Sequence, residues 1–107
     1  MILKVIVDEK IIPIEVPDYM LAEADELFTK MDKDMDAGWQ MSREWVDNPD
    51  NVQRCQIAAD KIFTSIHSEN EKMATLMAAY ILKKLPNISS VDIDTEGDIT
   101  QTSFTEG

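Results

Sequence analysis

The spacing of hydrophobic residues changes twice along this chain, and that order limits the fold more than any other feature. Residues 2–7 and 11–16 are β-branched runs separated by polar residues, which predicts an N-terminal β-hairpin. Between residues 21 and 85 the apolar residues recur at three- and four-residue spacing, which predicts three to four helices. Residues 89–104 alternate around a turn at Glu96–Gly97, which predicts a C-terminal β-hairpin. We therefore expect an α+β fold whose helices pack on one face of a small antiparallel sheet.

Prolines and polar residues indicate where several elements begin. Pro13 has no backbone N–H to donate, which indicates that the second strand lies at an edge of the sheet or pairs irregularly there. The sequence predicts that Asn48 caps a helix in which Pro49 occupies the first position. It also predicts a capping box between Ser68 and Glu71 at the start of the last long helix.

The chain has the length and hydrophobic content of one globular domain covering residues 1–107. Of its 107 residues 44% are hydrophobic, which is enough for a core without disulfide or metal cross-links. Its 21 acidic and 10 basic side chains give a formal net charge of −11, which repels phosphate backbones and anionic membrane surfaces. We therefore expect no binding to nucleic acid or to membranes, and a cation or a basic protein partner instead.

The sequence contains little material for catalysis. It has no glycine-rich phosphate loop, and its single histidine, His67, is expected near the end of a helix. Its single cysteine, Cys55, falls on an apolar helical stripe and is expected in the core. The first residues lack the features of a signal peptide, and no window approaches the roughly 20 apolar residues that span a bilayer. These features predict a cytoplasmic protein that is not an enzyme.

The stretch FTKMDKDMDAGWQMSREW, residues 28–45, carries aspartates at alternate positions: Asp32, Asp34 and Asp36. Carboxylates at a helix C-terminus repel one another and the negative end of the helix dipole, so a positive charge is expected beside them. In its first half the stretch resembles the calcium-binding loop of an EF-hand, in which acidic ligands occupy positions 1, 3 and 5. The resemblance covers these 18 of the 107 residues, and no family is recognised over the whole chain.

The second half of the stretch fits an EF-hand only as a thirteen-residue variant with one inserted residue. The resemblance then implies a Ca²⁺ site between two helices, the second beginning near residue 41, with the ligands Asp32, Asp34, Asp36, Gln40 and Glu44. The alternative is an exposed acidic turn whose charges are balanced without metal by nearby basic side chains and salt. The basic residues of the stretch are Lys30, Lys33 and Arg43.

A second acidic stretch, residues 92–103, has a similar order of carboxylates. The residues before it have the pattern of a strand, and Ser103 stands where a closing glutamate is required. We expect a hairpin with outward-facing carboxylates there.

The last long helix is apolar on more than one face. Tyr80, Ile81 and Leu82 follow one another in its pattern, which exceeds what a small monomer easily covers. We therefore expect a homodimer.

The leading hypothesis is a small acidic binding protein with a calcium loop, and the alternative is a metal-free dimeric adaptor that engages a basic partner.

Overall fold

The chain folds into six strands and four helices, as described for residues 1–107 by a computed structural model. The strands are β1 (Ile2–Val7), β2 (Lys10–Glu15), β3 (Trp39–Met41), β4 (Glu44–Val46), β5 (Ile88–Asp92) and β6 (Ser103–Glu106). The helices are α1 (Asp18–Glu23), α2 (Asp25–Asp36), α3 (Asn51–His67) and α4 (Glu71–Lys84), and a short 3-10 turn, Ile99–Gln101, precedes β6.

Four strands form the main sheet in the order β2–β1–β5–β6, and β3 pairs with β4 as a separate hairpin. The pairs β1–β2 and β5–β6 are antiparallel, which confirms both predicted terminal hairpins. The central pair β1–β5 is parallel, with Lys4 opposite Ser90. The α+β class is therefore confirmed, but the sheet is mixed and not antiparallel. Hydrophobic spacing carries no information on strand direction, and the helices between β2 and β5 form a crossover long enough for parallel pairing.

Strand β2 lies at an edge of the sheet, as Pro13 predicts. The Met1 ammonium donates to the Val16 carbonyl at 2.9 Å, and the Val16 N–H donates to the Met1 carbonyl at 2.6 Å. Hydrogen-bonded and non-hydrogen-bonded residue pairs alternate along an antiparallel ladder, and Met1–Val16 is a hydrogen-bonded pair. The backbone groups of Ile11, Pro13 and Glu15 therefore point away from β1. Pro13 therefore costs no bond within the sheet and interrupts the row of donors on its free edge.

The two faces of the main sheet differ in exposure. Leu3, Val5 and Val91 are fully buried on the side that carries the helices. Ile2 and Lys4, at the alternate positions of β1, are exposed. The helices thus pack on one face, as predicted, and the other face is open to solvent.

Helix α4 is buried around most of its circumference by the chain itself. Residues 78–82 are at most 2% exposed, and the Tyr80 ring meets the Phe28 ring of α2 edge to face at 5.6 Å between centroids. The apolar excess that suggested a homodimer is therefore covered within one chain, and the homodimer stays a prediction without support from this helix. None of the helices combines the length and the apolar character needed to cross a membrane.

The predicted starts of the two long helices are wrong. Helix α3 is capped by Asp50, whose carboxylate accepts the Gln53 N–H at 2.8 Å while the Gln53 side chain accepts the Asp50 N–H at 2.9 Å. Asn48 lies before this cap with a φ of 47°. Helix α4 is capped by Asn70, and Ser68 instead follows the end of α3. The pair at Asp50 satisfies two free N–H groups reciprocally, which Asn48 in its left-handed conformation does not do.

The helix expected to begin near residue 41 is absent, and residues 39–46 form the β3–β4 hairpin. Helix α2 continues to Asp36 and the chain leaves it through Gly38, whose φ is 112°. Ser42, in the hairpin turn, has a φ of 59°. Two left-handed residues so close together prevent a new helix from starting here.

The single cysteine and the single histidine lie where the sequence predicts. Cys55 is fully buried, and His67 is the last residue of α3. The His67 Nδ1 lies 3.0 Å from the Phe63 carbonyl oxygen, and the two rings pack at 4.4 Å between centroids.

Candidate functional site

The five residues predicted to bind calcium do not share one loop. Asp32, Asp34 and Asp36 lie in the second half of α2, Gln40 in β3 and Glu44 in β4. Residues two apart on a helix face nearly opposite sides, whereas residues four apart share a side. Asp32 and Asp36 therefore lie on the same side of α2. Asp34 and Glu44 are exposed. The Gln40 amide donates to the Ser42 carbonyl of its own hairpin turn at 3.0 Å. The structure contains no group of three or more histidine, cysteine or acidic side chains arranged to hold a metal ion. The calcium site stays a prediction.

The positive charge beside these aspartates is Arg54 of α3. Its Nη1 donates to Asp32 Oδ1 at 3.2 Å and its Nη2 to Asp36 Oδ1 at 2.7 Å. Nη2 also donates to Asn48 Oδ1 at 2.9 Å, and Nε to the Pro49 carbonyl at 2.7 Å. Only 8% of Arg54 is exposed. A guanidinium removed from water in this way needs all its donors satisfied, and here helix α2 and the segment before α3 supply the acceptors.

Asp32 is the centre of the cluster. Besides Arg54, its carboxylate accepts a bond from the Tyr80 hydroxyl at 2.6 Å and from Lys84 Nζ at 2.7 Å. Tyr80 and Lys84 lie one turn apart on α4, so Asp32 connects α2 to both long helices. We call Asp32, Asp36, Arg54, Tyr80 and Lys84 the ionic cluster.

The environment of the ionic cluster fixes its protonation. Burial by itself raises the pKa of Asp32, but bonds from Lys84, Tyr80 and Arg54 outweigh it and hold the pKa below the ordinary 3.8. Burial, together with the Asp32 carboxylate, raises the pKa of the Tyr80 hydroxyl above its ordinary 10.0. Burial alone lowers the pKa of Arg54, but bonds to Asp36 and Asp32 outweigh it and raise the pKa above its ordinary value. At neutral pH the cluster therefore contains a charged carboxylate, a neutral phenol and a charged guanidinium.

This chemistry favours a structural role for the ionic cluster. The Asp32 carboxylate is fully engaged and its pKa lies below the ordinary value, which makes it a poor general base. The cavity beside it is small, about 220 Å³, and is lined in part by Phe28, Thr29 and Lys83. The cluster holds α2 against α3 and α4.

Sequence reasoning found the acidic half of the cluster and missed its basic half. The cations considered were Lys30, Lys33 and Arg43, yet none of them forms an ion pair within 4.0 Å. Arg54 and Lys84 are 22 and 52 residues from Asp32 along the chain. One local signal pointed to Arg54, since it directly precedes Cys55 on a helix whose neighbouring positions are mostly apolar.

The second acidic stretch uses its carboxylates to shape the loop between β5 and β6. Asp94 accepts the backbone N–H groups of Glu96 and Asp98 at 3.1 and 2.8 Å. Asp98 accepts the Ser42 hydroxyl at 2.9 Å, which joins this loop to the β3–β4 hairpin. Hydrogen bonds from Thr100 and then Ser42 lower the pKa of Asp98 below 3.8.

A groove of about 630 Å³ lies between β2 and the connection from α3 to α4. Carboxylates are its only charged groups: Glu15 lies on the strand side, and Glu69 and Glu71 lie on the helix side. The apolar floor includes Ile14 and Ile66. We call this feature the acidic groove, and its remaining lining residues are Ile12, Pro13, Ser65, Asn70, Ala74 and Thr75.

The acidic groove could not be identified from sequence. Its two sides are about 50 residues apart in the chain, and each side taken alone is an ordinary strand or helix connection. Glu69 is held at the rim with a φ of 58°, within a connection closed by a bond from the Asn70 N–H to the Ser65 carbonyl at 2.8 Å.

Comparison with known proteins adds no relative. A scan against models of protein families finds no match, and searches of curated proteins and of solved structures find none either.

Proposed function

We propose that this protein is a cytoplasmic, non-enzymatic binding protein whose acidic groove takes an extended basic segment of a partner protein. The observation that carries the proposal is the charge of the groove, which is lined by three glutamates and by no basic side chain. A basic segment meets complementary charge there, and the formal net charge of −11 attracts it from a distance.

The free edge of β2 supports an extended conformation for the bound segment. The backbone groups of Ile11, Pro13 and Glu15 point away from β1, and Pro13 and Glu15 also line the groove. A strand laid along this edge gains main-chain bonds, and its alternate side chains turn toward the groove. Pro13 offers a carbonyl and no N–H, which limits the pairing to a short segment.

A basic peptide tests this proposal. We expect a labelled peptide of alternating lysine and valine to bind in fluorescence anisotropy titrations, more weakly as salt is added. The double variant Glu69→Gln/Glu71→Gln removes two groove carboxylates and should raise the dissociation constant roughly threefold to tenfold.

The double variant Glu23→Gln/Glu26→Gln is the matched control. Glu26 stands in the first turn of α2 as Glu71 does in the first turn of α4, and both control residues are exposed and lie outside the groove. Equal affinities of the two double variants, or no binding of the peptide at low salt, would overturn the proposal.

The proposed function needs no metal, since Arg54 and Lys84 already balance Asp32 and Asp36. A calcium titration followed by the fluorescence of Trp39 and Trp45 tests the EF-hand prediction directly. We expect no saturable change at millimolar calcium and near-physiological salt. A saturable change that Asp34→Asn abolishes would instead establish a calcium site, because Asp34 belongs to the predicted ligand set and not to the ionic cluster.

A further inference from the structure

The open face of the main sheet carries exposed apolar side chains that the groove does not explain. On β1 and β2 it presents Ile2, Ile6, Ile11 and Pro13, and Ile6 lies opposite Ile11 in the strand register. Ile2 and Ile11 are 55% and 62% exposed. Exposed aliphatic side chains that share one face of a sheet make that face a candidate interface.

The same face contains a basic side chain without a partner. Lys4 lies opposite Pro13 on one side and Ser90 on the other, and it forms no ion pair within 4.0 Å. The carboxylates of Glu15 and Asp92 stand two residues further along the neighbouring strands, opposite Ile2 and Ile6. The open face therefore combines an apolar strip with charges of both signs, in a chain whose surface is otherwise strongly acidic.

We infer that a second copy of this chain covers the open face of the sheet. A two-fold dimer brings the same surface together with itself, so the surface has to be complementary to its own copy. The open face meets this requirement, because Lys4 of each copy can pair with Glu15 or Asp92 of the other while the isoleucines pack between them. A strongly acidic partner would be repelled by Glu15 and Asp92, and a strongly basic partner would be repelled by Lys4.

The free edge of β2 is the competing surface for self-association, and Pro13 disfavours it. Two β2 strands paired edge to edge would lose one ladder bond at each Pro13. Packing face to face leaves this edge and the helix side of the acidic groove, with Glu69 and Glu71, accessible in both copies. Pro13 and Glu15 belong to both surfaces, so the two proposals are tested at residues that belong to only one of them.

Light scattering and sedimentation over a range of protein concentrations test the inference. We expect a mass twice that of one chain, with a dimer that strengthens as salt is added, because salt screens the repulsion between two acidic copies. Binding of a basic segment in the groove has the opposite salt dependence, so the two results cannot be confused.

Substitutions separate the open face from other contacts. Ile11→Asp places a carboxylate in the apolar strip and should raise the dissociation constant of the dimer roughly tenfold or more. Val52→Asp is the matched control, since Val52 is an exposed apolar residue on α3, 47% exposed, where an added aspartate at the helix start is well tolerated. Circular dichroism should show that both variants stay folded. A monomer at all concentrations, or equal weakening by both variants, would overturn the inference.

Discussion

Arg54 shows how a single side chain can organise a small protein. Its guanidinium donates five hydrogen bonds, to acceptors on α2 and on the segment before α3. A lysine could not replace it, because an ammonium is a compact charge that cannot reach separated acceptors in one plane. Of the three aspartates near the end of α2, Asp32 and Asp36 lie on the side of Arg54 and bond to it, although Asp36 stays largely exposed, and Asp34 lies on the opposite side.

Asp32→Asn should lower the free energy of unfolding by about 1–3 kcal/mol, since Arg54 and Lys84 then lose a charged partner in a partly buried site. Urea unfolding measures the change. Asp34→Asn makes the same substitution on the exposed side of α2 and should stay within about 0.5 kcal/mol of the unsubstituted protein. Equal effects of the two substitutions would contradict the importance of the ionic cluster.

The lowered pKa of Asp32 also predicts how stability depends on pH. In the folded state the carboxylate keeps its charge below the ordinary pKa of 3.8, whereas in the unfolded chain it takes up a proton near that value. Its contribution is therefore complete above about pH 5 and is lost as the pH falls through the folded-state pKa. Urea midpoints between neutral and acidic pH should decline less steeply for Asp32→Asn than for the unsubstituted protein. Parallel declines would count against this linkage.

At the scale of the elements, the β3–β4 hairpin replaces a helix that the sequence pattern predicts. The junction depends on Gly38, which has a φ of 112° and lies under the Trp45 indole. A Cβ added at Gly38 would stand 2.5 Å from Trp45 Cζ2. Backbone conformation and ring packing therefore both require glycine at this position.

Gly38→Ala should destabilise the protein both by straining the backbone and by bringing a Cβ against Trp45. Gly97→Ala strains the backbone alone and is therefore the control. Gly97 has a φ of 91°, but nothing lies within 4 Å of a Cβ added there. We expect Gly97→Ala to cost about 1 kcal/mol and Gly38→Ala roughly 2–4 kcal/mol, with a shift in tryptophan emission only for Gly38→Ala. Thermal unfolding with fluorescence detection measures both. If the two substitutions cost the same, the contact with Trp45 has no energetic weight.

The sequence predicts the features of this structure that depend on residues close together in the chain, and it fails for most features that depend on distant residues. Spacing along the chain predicts β1, β2, α3 and α4, because each element contributes its own buried stripe. It does not predict the parallel pairing of β1 with β5, since strand direction is decided by a crossover about 70 residues long. The partners of Asp32 and the two sides of the acidic groove are also distant in sequence. The start of α3 is a local exception, since the predicted cap, Asn48, stands only two residues before the cap that forms, Asp50.

At the scale of the whole molecule, Cys55 reports on opening of the core. Burial is the largest cause that raises the pKa of its thiol, to about 12, and the side chain has no exposed surface. We expect the folded protein to resist Ellman's reagent at pH 8, with a rate that follows the unfolded fraction as urea is added. Rapid labelling without urea would show that the helices separate locally around α3.

The place of β1 between β2 and β5 has a consequence for the order of folding. The hairpin of β1 and β2 leaves the ribosome before the helices do, but the inner neighbour of β1, strand β5, begins only at Ile88. Until β5 is made, β1 has no neighbour on that side of the sheet. Pairing β5 with β1 closes a long loop of chain, which is slow compared with forming local helices. The helical hairpin of α3 and α4 can form early from local contacts. We expect the sheet to be completed last, when β5 inserts beside β1 and converts two separate hairpins into one structure.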